Sequence, residues 1–556
     1  MFSAVFSPLR FEPCPVSSSG RILHTRTEMA VVAGLTLLSG WHFLFFPLGL
    51  DQGIYATSAM KMLEGAALYK DTWDMKSPGI FFMYMIPMGL VGKVWGIMAL
   101  HLVLHGLTAL AVLRLVRWHW GQTAAWASVG FYLFTMATWG DPIKNGQPDD
   151  WMLPFFLWGV VLLLSAWELA GTRAALYCAA DAGLLMGWVL VLRSTMVFAI
   201  TLAPLVWLAA LAPEYIGRSS PNSSPCTSGQ GQPGPSWLGR ALPLLGAYVA
   251  GGAIVGLLML GYFVATGSLS DMLYSQLVWV RSYAQTVINL NDLKFAIVSD
   301  WAICFWREFF APYPFMMVWH WIIIAGALLW AAWRAFPLRS ALQWLWVFAL
   351  GASCYAVQLK FFNYHHWPLL PFICMGFGVA FASLMLPLAA LWHRCEGRPR
   401  IRWCTAAVAV VVTLAVIIGG GYGDRLRSRQ NLTAEFALGQ ATAYEFYRHL
   451  HFKHIYKPFE DHLITQLIRE RTPSGELPSV FIWGFRPHVY AELGISGPSR
   501  FAYNLPLRAG WSPPEWLSAL EGEVVPYNPQ FILSGYNDNF NWVVGNELNS
   551  VQSMPS

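Results

Sequence analysis

Charge is what this chain has least of. Of its 556 residues only 12% are Asp, Glu, Lys or Arg, against 56% hydrophobic, and that balance excludes a soluble protein of ordinary composition. Cysteine is sparse as well. Cys14, Cys178, Cys226, Cys304, Cys354, Cys374, Cys395 and Cys404 include no pair at metal spacing, and none falls in 50–96 or beyond 424. Neither disulfides nor zinc is therefore expected, and the chain shows no His or Cys ligand spacing. Gly484 and Gly494 in the last quarter do not form G-x-G-x-x-G, which argues against a nucleotide cradle there.

What the chain does have is apolar runs of spanning length, recurring from Met29 to Gly421. They predict an α-helical polytopic membrane protein with about eleven transmembrane helices: 29–48, 97–117, 121–139, 151–170, 174–192, 196–212, 241–264, 313–333, 341–358, 367–392 and 403–421. From about residue 424 polar and apolar residues alternate as in a globular fold. The division that follows is a cytoplasmic tail over 1–28, a transmembrane domain over 29–423 and a small extracytoplasmic α/β domain over 424–556. A Ser-, Pro-, Gly- and Gln-rich stretch at about 213–238 predicts a disordered cytoplasmic linker.

Arginines set the sidedness. Arg10, Arg21 and Arg26, then Arg114 and Arg117, Arg173, Arg218 and Arg240, Arg334 and Arg339, and Arg394 to Arg402 all fall between spans that the positive-inside rule makes cytoplasmic. That holds only if the apolar segment Gly79 to Gly96 does not cross. It is therefore expected to lie in the membrane interface, inside a long first external loop over 50–96. The first span has no small-residue cleavage site after it and is expected to be a retained anchor.

The external loops hold the acids. Asp51, Glu64, Asp71 and Asp74 lie in the first, and Asp141, Asp149 and Asp150 in the second, with Lys76, Arg193, Arg281, Arg307, Lys360, His365 and His366 as basic groups able to face the same space. Acids beside cations at a water–lipid boundary suit a reaction on a phosphate-bearing lipid. Moving a sugar from a polyprenyl phosphate needs a carboxylate to orient or deprotonate an acceptor hydroxyl. It also needs cations to receive the charge that develops on the departing phosphate.

The run D-Q-G-I-Y-A from Asp51, continued by M-L-E-G-A-A-L-Y-K-D-T-W-D-M-K-S-P-G, resembles the first external loop of the GT-C superfamily of membrane glycosyltransferases. The likeness is to the bacterial branch akin to protein mannosyltransferases and lipid A aminoarabinose transferases. An Asp just after the first span and a later K-x-P are its hallmark, matched here by Asp51 and by Lys76-Ser77-Pro78. Gln147-Pro148-Asp149-Asp150 stands where such enzymes carry a second acid, either Asp149 or Asp150, and Tyr364-His365-His366 resembles a stretch preceding a late span. The resemblance implies a polyprenyl-phosphate-linked donor, inversion at the anomeric carbon and an envelope acceptor (lipid, polysaccharide or protein). It also implies catalytic work for Asp51 with Asp149 or Asp150, and substrate contacts from Lys76, Arg193, Tyr55, Gln147, Tyr364, His365 and His366. No cofactor is required by it. A divalent cation is compatible, expected to be a hard ion held by carboxylates. The place of action would be the outer face of the cytoplasmic membrane, and no nucleic-acid partner is expected.

Plainer roles stand beside these. Asp51 could cap a helix starting near Ile54; Asp71 and Asp74 could hold turns; Lys76 could snorkel to headgroups; Arg193 could serve only an ion pair. Trp73, Trp139 and Trp151 could belong to interfacial belts or line a sugar subsite. Asp181, within a span, seeds a rival reading as a transporter or flippase, and a noncatalytic scaffold is a third. In the last quarter the pattern predicts helix up to Arg471, strands at 479–482, 500–503 and 530–533, and helices at 488–493 and 514–520.

Overall fold

A computed structural model describes residues 25–169, 171–202, 237–287, 365, 367–394, 404, 422–450, 456–535, 538 and 549–554. The expected spans 313–333 and 341–358, nearly all of 403–421 and of the linker, and most of 196–212 lie outside the described residues.

Among those described, five helices are long and apolar enough to cross a membrane. Helix α1 (Arg26–Gly40) starts on a capping box, in which the Thr25 side chain accepts from the Glu28 amide and the Glu28 carboxylate accepts from the Thr25 amide. It runs through a 3₁₀ turn, Trp41–Phe45, into α2 (Leu50–Leu63). Helix α3 (Gly79–Leu90) has 12 residues. That is about 18 Å of helix, well short of the roughly 30 Å hydrocarbon core, in keeping with a segment that does not cross.

Helix α4 (Val94–Trp139) has 46 residues broken at Gly121, where φ is +81°. The break reverses the chain. His105 Nδ1 and the Tyr132 hydroxyl lie 2.5 Å apart, whereas 27 residues of unbroken helix would separate them by about 40 Å. The two arms coincide with the spans expected at 97–117 and 121–139. Helices α5 (Pro148–Trp151), α6 (Leu153–Glu168), α7 (Arg173–Leu192) and α8 (Trp237–Ala265) follow, and α9 (Leu370–Arg394) packs on the second arm of α4. Small residues bring α7 and α8 into backbone contact: a Cβ on Gly183 would land on the Tyr248 carbonyl oxygen. The outward face of α8, with Val249, Leu257 and Leu258, is exposed and apolar, as a lipid-facing surface must be.

Arg117, on the first arm of α4, pairs with Glu28 of α1 at 2.6 Å. These two mark one end of the bundle, and the loop beginning at Asp51 marks the other. The segment after residue 422 gathers at the second end. Helices α10 (Tyr422–Ala437), α11 (Ala443–His449) and α12 (Pro458–Arg471) replace the continuous helical stretch expected there, interrupted at Gly439 with φ +71°. Strand β1 (Val480–Trp483) then pairs in parallel with β2 (Phe531–Ser534), with Val480 opposite Phe531 and Trp483 opposite Ser534; α13 (His488–Leu493) and α14 (Glu515–Tyr527) lie between them in sequence.

The strand expected at 500–503 does not join this sheet. Phe501 instead bridges Trp73 of the first loop, and the Trp73 amide donates to the Arg500 carbonyl at 2.8 Å. The cause is aromatic: Trp73, Trp279, Phe501 and Trp516 form one buried cluster, with Trp73 and Trp516 centroids 4.9 Å apart, and it draws this segment onto the loop. Trp73 is therefore core. Trp151, stacked 4.7 Å from Tyr84, and Trp139, 4.8 Å from Trp367, are core as well, neither belt nor sugar platform.

Gly53 sets how closely α2 and α13 meet, because a Cβ there would fall on the backbone of His488. Gly53→Ala should push the helices apart at a cost of about 1–3 kcal/mol, read as a lowered midpoint of thermal unfolding in detergent. Gly34→Ala on α1, where nothing lies within 4 Å, should leave the midpoint unchanged or raise it.

Candidate functional site

Helix α2 begins at Leu50 with Gly49 as N-cap and no side-chain cap bond, so Asp51 sits in the first turn and does not cap by its side chain. Its carboxylate lies between two donors. Lys76 Nζ is 3.5 Å from Oδ2, and Gln147 Nε2 donates to the same oxygen at 3.2 Å. Gln147 is itself placed by the Tyr55 hydroxyl, which donates to its Oε1 at 3.1 Å, and by its own bond to the Ile143 carbonyl at 2.9 Å. Tyr55 lies one turn along α2 from Asp51, so a single helix face presents both residues to the second loop.

Gln52 and Tyr84 then fix that loop. Gln52 Nε2 donates to the carbonyls of Ile143, at 3.0 Å, and of Asn145; the Tyr84 hydroxyl donates to the Gly146 carbonyl at 2.9 Å. The sequence reading passed over both residues. Gln52 carried a signal in its place beside Asp51, whereas Tyr84, inside an apolar helix, carried none.

Asp149 and Asp150 point to different partners. Asp149 lies 3.4 Å from Arg193 Nε, and the guanidinium also reaches His365 Nε2 at 3.2 Å. Asp150 turns into the bundle, with Oδ2 3.1 Å from His101 Nδ1 and 3.8 Å from His105 Nε2, and accepts the Gly146 amide at 3.0 Å. The structure thus brings Asp51, Lys76, Gln147 and Tyr55 together, and Asp149, Arg193 and His365 together. Ser77 joins the two groups, since its Oγ accepts the Ser194 amide at 3.2 Å, placing K-S-P beside the residue after Arg193. Tyr364 and His366 lie outside the described residues. Contrary to the expectation that the chain offers only carboxylates to an ion, His101, His105 and Asp150 present ligand atoms within 4.8 Å of one another.

Exposure separates the acids. Asp51, Lys76 and Arg193 keep 19%, 13% and 14% of their side-chain surfaces open, while Asp149 and Asp150 are sealed at 0%. Asp71 accepts the Ala67 amide at 2.8 Å, which is the turn role expected of it. Asp74 is also sealed, accepting the Lys76 amide at 2.7 Å and the Tyr503 hydroxyl at 2.8 Å, so it ties the Lys76 backbone to the C-terminal segment. On α2, Lys61 reaches the Ser499 carbonyl, a second tie of the same kind.

No family model matches the chain, and no curated protein does. A search of solved structures finds the Archaeoglobus fulgidus oligosaccharyltransferase AglB, in complex with an inhibitory peptide and a dolichol-phosphate, at TM-score 0.45 and 12% identity over 91% of this chain and 68% of that one. A second structure of an Archaeoglobus fulgidus oligosaccharyltransferase, in complex with Zn and sulfate, scores 0.43 at 13% identity over 91% and 67%. ArnT from Cupriavidus metallidurans, bound to undecaprenyl phosphate, scores 0.48 at 14% identity over 85% and 84%. At TM-scores of 0.43 to 0.48 these likenesses carry no weight for what this chain does.

Burial pushes the Asp74 carboxyl up to about 6, against the pull of the nearby Lys76 charge, the Lys76 amide and the Tyr503 hydroxyl. Since the folded state holds this proton more tightly than the unfolded chain does, Asp74 should favour folding at low pH, with that contribution lost as pH rises through about 6. The wild type should therefore lose thermal stability relative to Asp74→Asn between pH 4 and pH 6.5 by several degrees. A gap between the two that stays constant over this range would show that Asp74 does not titrate there.

Proposed function

We propose that this chain is a membrane glycosyltransferase of the GT-C type, moving a sugar from a polyprenyl-phosphate carrier to an envelope acceptor with inversion at the anomeric carbon. Its place of action is the outer face of the cytoplasmic membrane, with the segment over 424–556 as an extracytoplasmic domain beside the reaction site. The observation that carries this reading is the partly open Asp51 carboxylate, aligned through Oδ2 by Lys76 and Gln147 in the segment that resembles the family's first loop.

In this reading the acceptor hydroxyl oxygen attacks the anomeric carbon as the bond from that carbon to the phosphate oxygen breaks. Asp51 takes the hydroxyl proton, and the electron pair of the broken bond leaves with the phosphate. A phosphate diester departs without protonation, so one base suffices. Lys76 and Arg193 are the groups that would meet the departing charge: both are partly open, and both are oriented by a carboxylate, Asp51 for Lys76 and Asp149 for Arg193. Asp149 is thus the second-loop acid of this mechanism, acting on Arg193, with His365 on the other side of the guanidinium. The transporter reading needs Asp181 in a polar interior, and Asp181 is exposed on α7.

Asp51→Asn keeps the shape and loses the base. It should reduce transfer of a labelled sugar from its lipid carrier by at least a hundredfold, in line with the usual contribution of a general base, while thermal stability and carrier binding stay near wild type. Wild-type turnover in Asp51→Asn would remove the mechanism. Arg193→Lys should act differently, weakening carrier binding by about tenfold because a guanidinium's planar fork is lost.

A further inference from the structure

We infer that His101, His105 and Asp150 form a transition-metal site of the class that takes Zn²⁺, buried behind the reaction centre between the first arm of α4 and α5. The inference does not depend on the transfer reading.

His101 and His105 lie one helical turn apart, so their imidazoles leave α4 on one face, with ring centroids 4.3 Å apart. Asp150 meets them from the start of the next segment. All three side chains are sealed from solvent, and their candidate ligand atoms fall within 4.8 Å of one another.

The hydrogen bonds around the cluster leave lone pairs facing inward. The Trp151 indole N–H can only donate, and at 3.3 Å it takes the single lone pair of His101 Nδ1, a bond that an ion held by that nitrogen would displace. The same nitrogen lies 3.1 Å from Asp150 Oδ2, which is an acceptor facing an acceptor when the carboxylate is charged. His105 Nδ1 meets the Tyr132 hydroxyl at 2.5 Å; when it donates there, Nε2 is left as a lone pair turned toward Asp150. That arrangement, an outer partner holding the far ring nitrogen, is how proteins orient a ligating histidine. His105 Nε2 and Asp150 Oδ1 make no hydrogen bond.

Three buried groups whose lone pairs converge repel one another and cost about 1–3 kcal/mol for each unmet polar atom. One cation would meet His105 Nε2 and Asp150 together, while His101 Nε2 stays without a hydrogen bond. Two imidazoles and one carboxylate suit zinc; magnesium and calcium prefer all-oxygen shells. Asp150 follows Asp149 directly and lies three residues after Gln147, so an ion here would lock the second loop to α4 and set the register in which Gln147 reaches Asp51 and Asp149 reaches Arg193. The competing occupant is a single proton shared between Asp150 and His101.

The test uses the full-length protein in detergent without a polyhistidine tag, stripped with a chelator and titrated with Co²⁺. The expected result is one Co²⁺ per chain with ligand-field absorption, displaced by Zn²⁺, weakened at least tenfold in His105→Gln and unchanged in Asp51→Asn. Should the histidine variant fail to fold, Cu²⁺ loaded into the wild type counts the ligands directly, and electron-spin-echo modulation should show two imidazole nitrogens. Absence of stoichiometric Co²⁺ in the wild type overturns the inference in favour of the shared proton. So does wild-type affinity in a folded His105→Gln, or a Cu²⁺ signal with fewer than two imidazoles. Transfer activity is not the readout, so a site without transfer and transfer without a site remain distinguishable.

Discussion

A polar loop can be buried at the end of an apolar bundle only when its charged and hydrogen-bonding groups are given partners, and that requirement organises this protein. The first loop and the segment around Asp149 carry an unusual share of a charge-poor chain's acids, and three of them, Asp74, Asp149 and Asp150, are sealed. Each is answered by a specific group: Asp74 by Tyr503 and the Lys76 amide, Asp149 by Arg193, Asp150 by the Gly146 amide. An unpaired group at any of these positions would cost about 1–3 kcal/mol. The partners range from the adjoining turn, as Gly146 is for Asp150, to a segment 429 residues away, as Tyr503 is for Asp74, and the requirement for them helps to draw those segments together.

Several of those partners belong to the C-terminal segment. Tyr503 holds Asp74, the Pro487 carbonyl accepts from Thr57 at 3.1 Å, and the Ser499 carbonyl accepts from Lys61. With the aromatic cluster of Trp73, Phe501 and Trp516 these contacts make one wall of the loop out of residues after 480. The segment is thereby part of the architecture that aims Lys76, since the amide of Lys76 is bound by the same carboxylate that Tyr503 holds.

Legibility from sequence followed the reach of the forces involved. The five long apolar helices among the described residues were readable because hydropathy is a sum over twenty or so neighbours, whereas the interfacial place expected for α3 rests on the arginines alone. Asp51 and Lys76 were readable from a local pattern, 25 residues apart in one loop. The division of labour between Asp149 and Asp150 was not readable: adjacent residues leave a short helix in different directions, and only the positions of Arg193 and His101 decide which goes where. His101 and His105 did carry a signal, one turn apart in an apolar run, but its meaning depended on Asp150, 45 residues further along. The strand expected at 500–503 failed because alternation reports half-burial without naming the neighbour, and here the neighbour was Trp73.

The turn at Gly121 bears on how the molecule is made. With a single non-helical residue between its arms, α4 has no loop that could be left on one side of the bilayer while one arm waits for the other. Both arms are bound to enter together as a closed pair during synthesis, before any downstream helix has emerged to receive them. Their mutual contact at His105 and Tyr132 then joins that of α1 on the first arm, at Glu28 and Arg117, as an early interior surface against which the remaining spans can assemble.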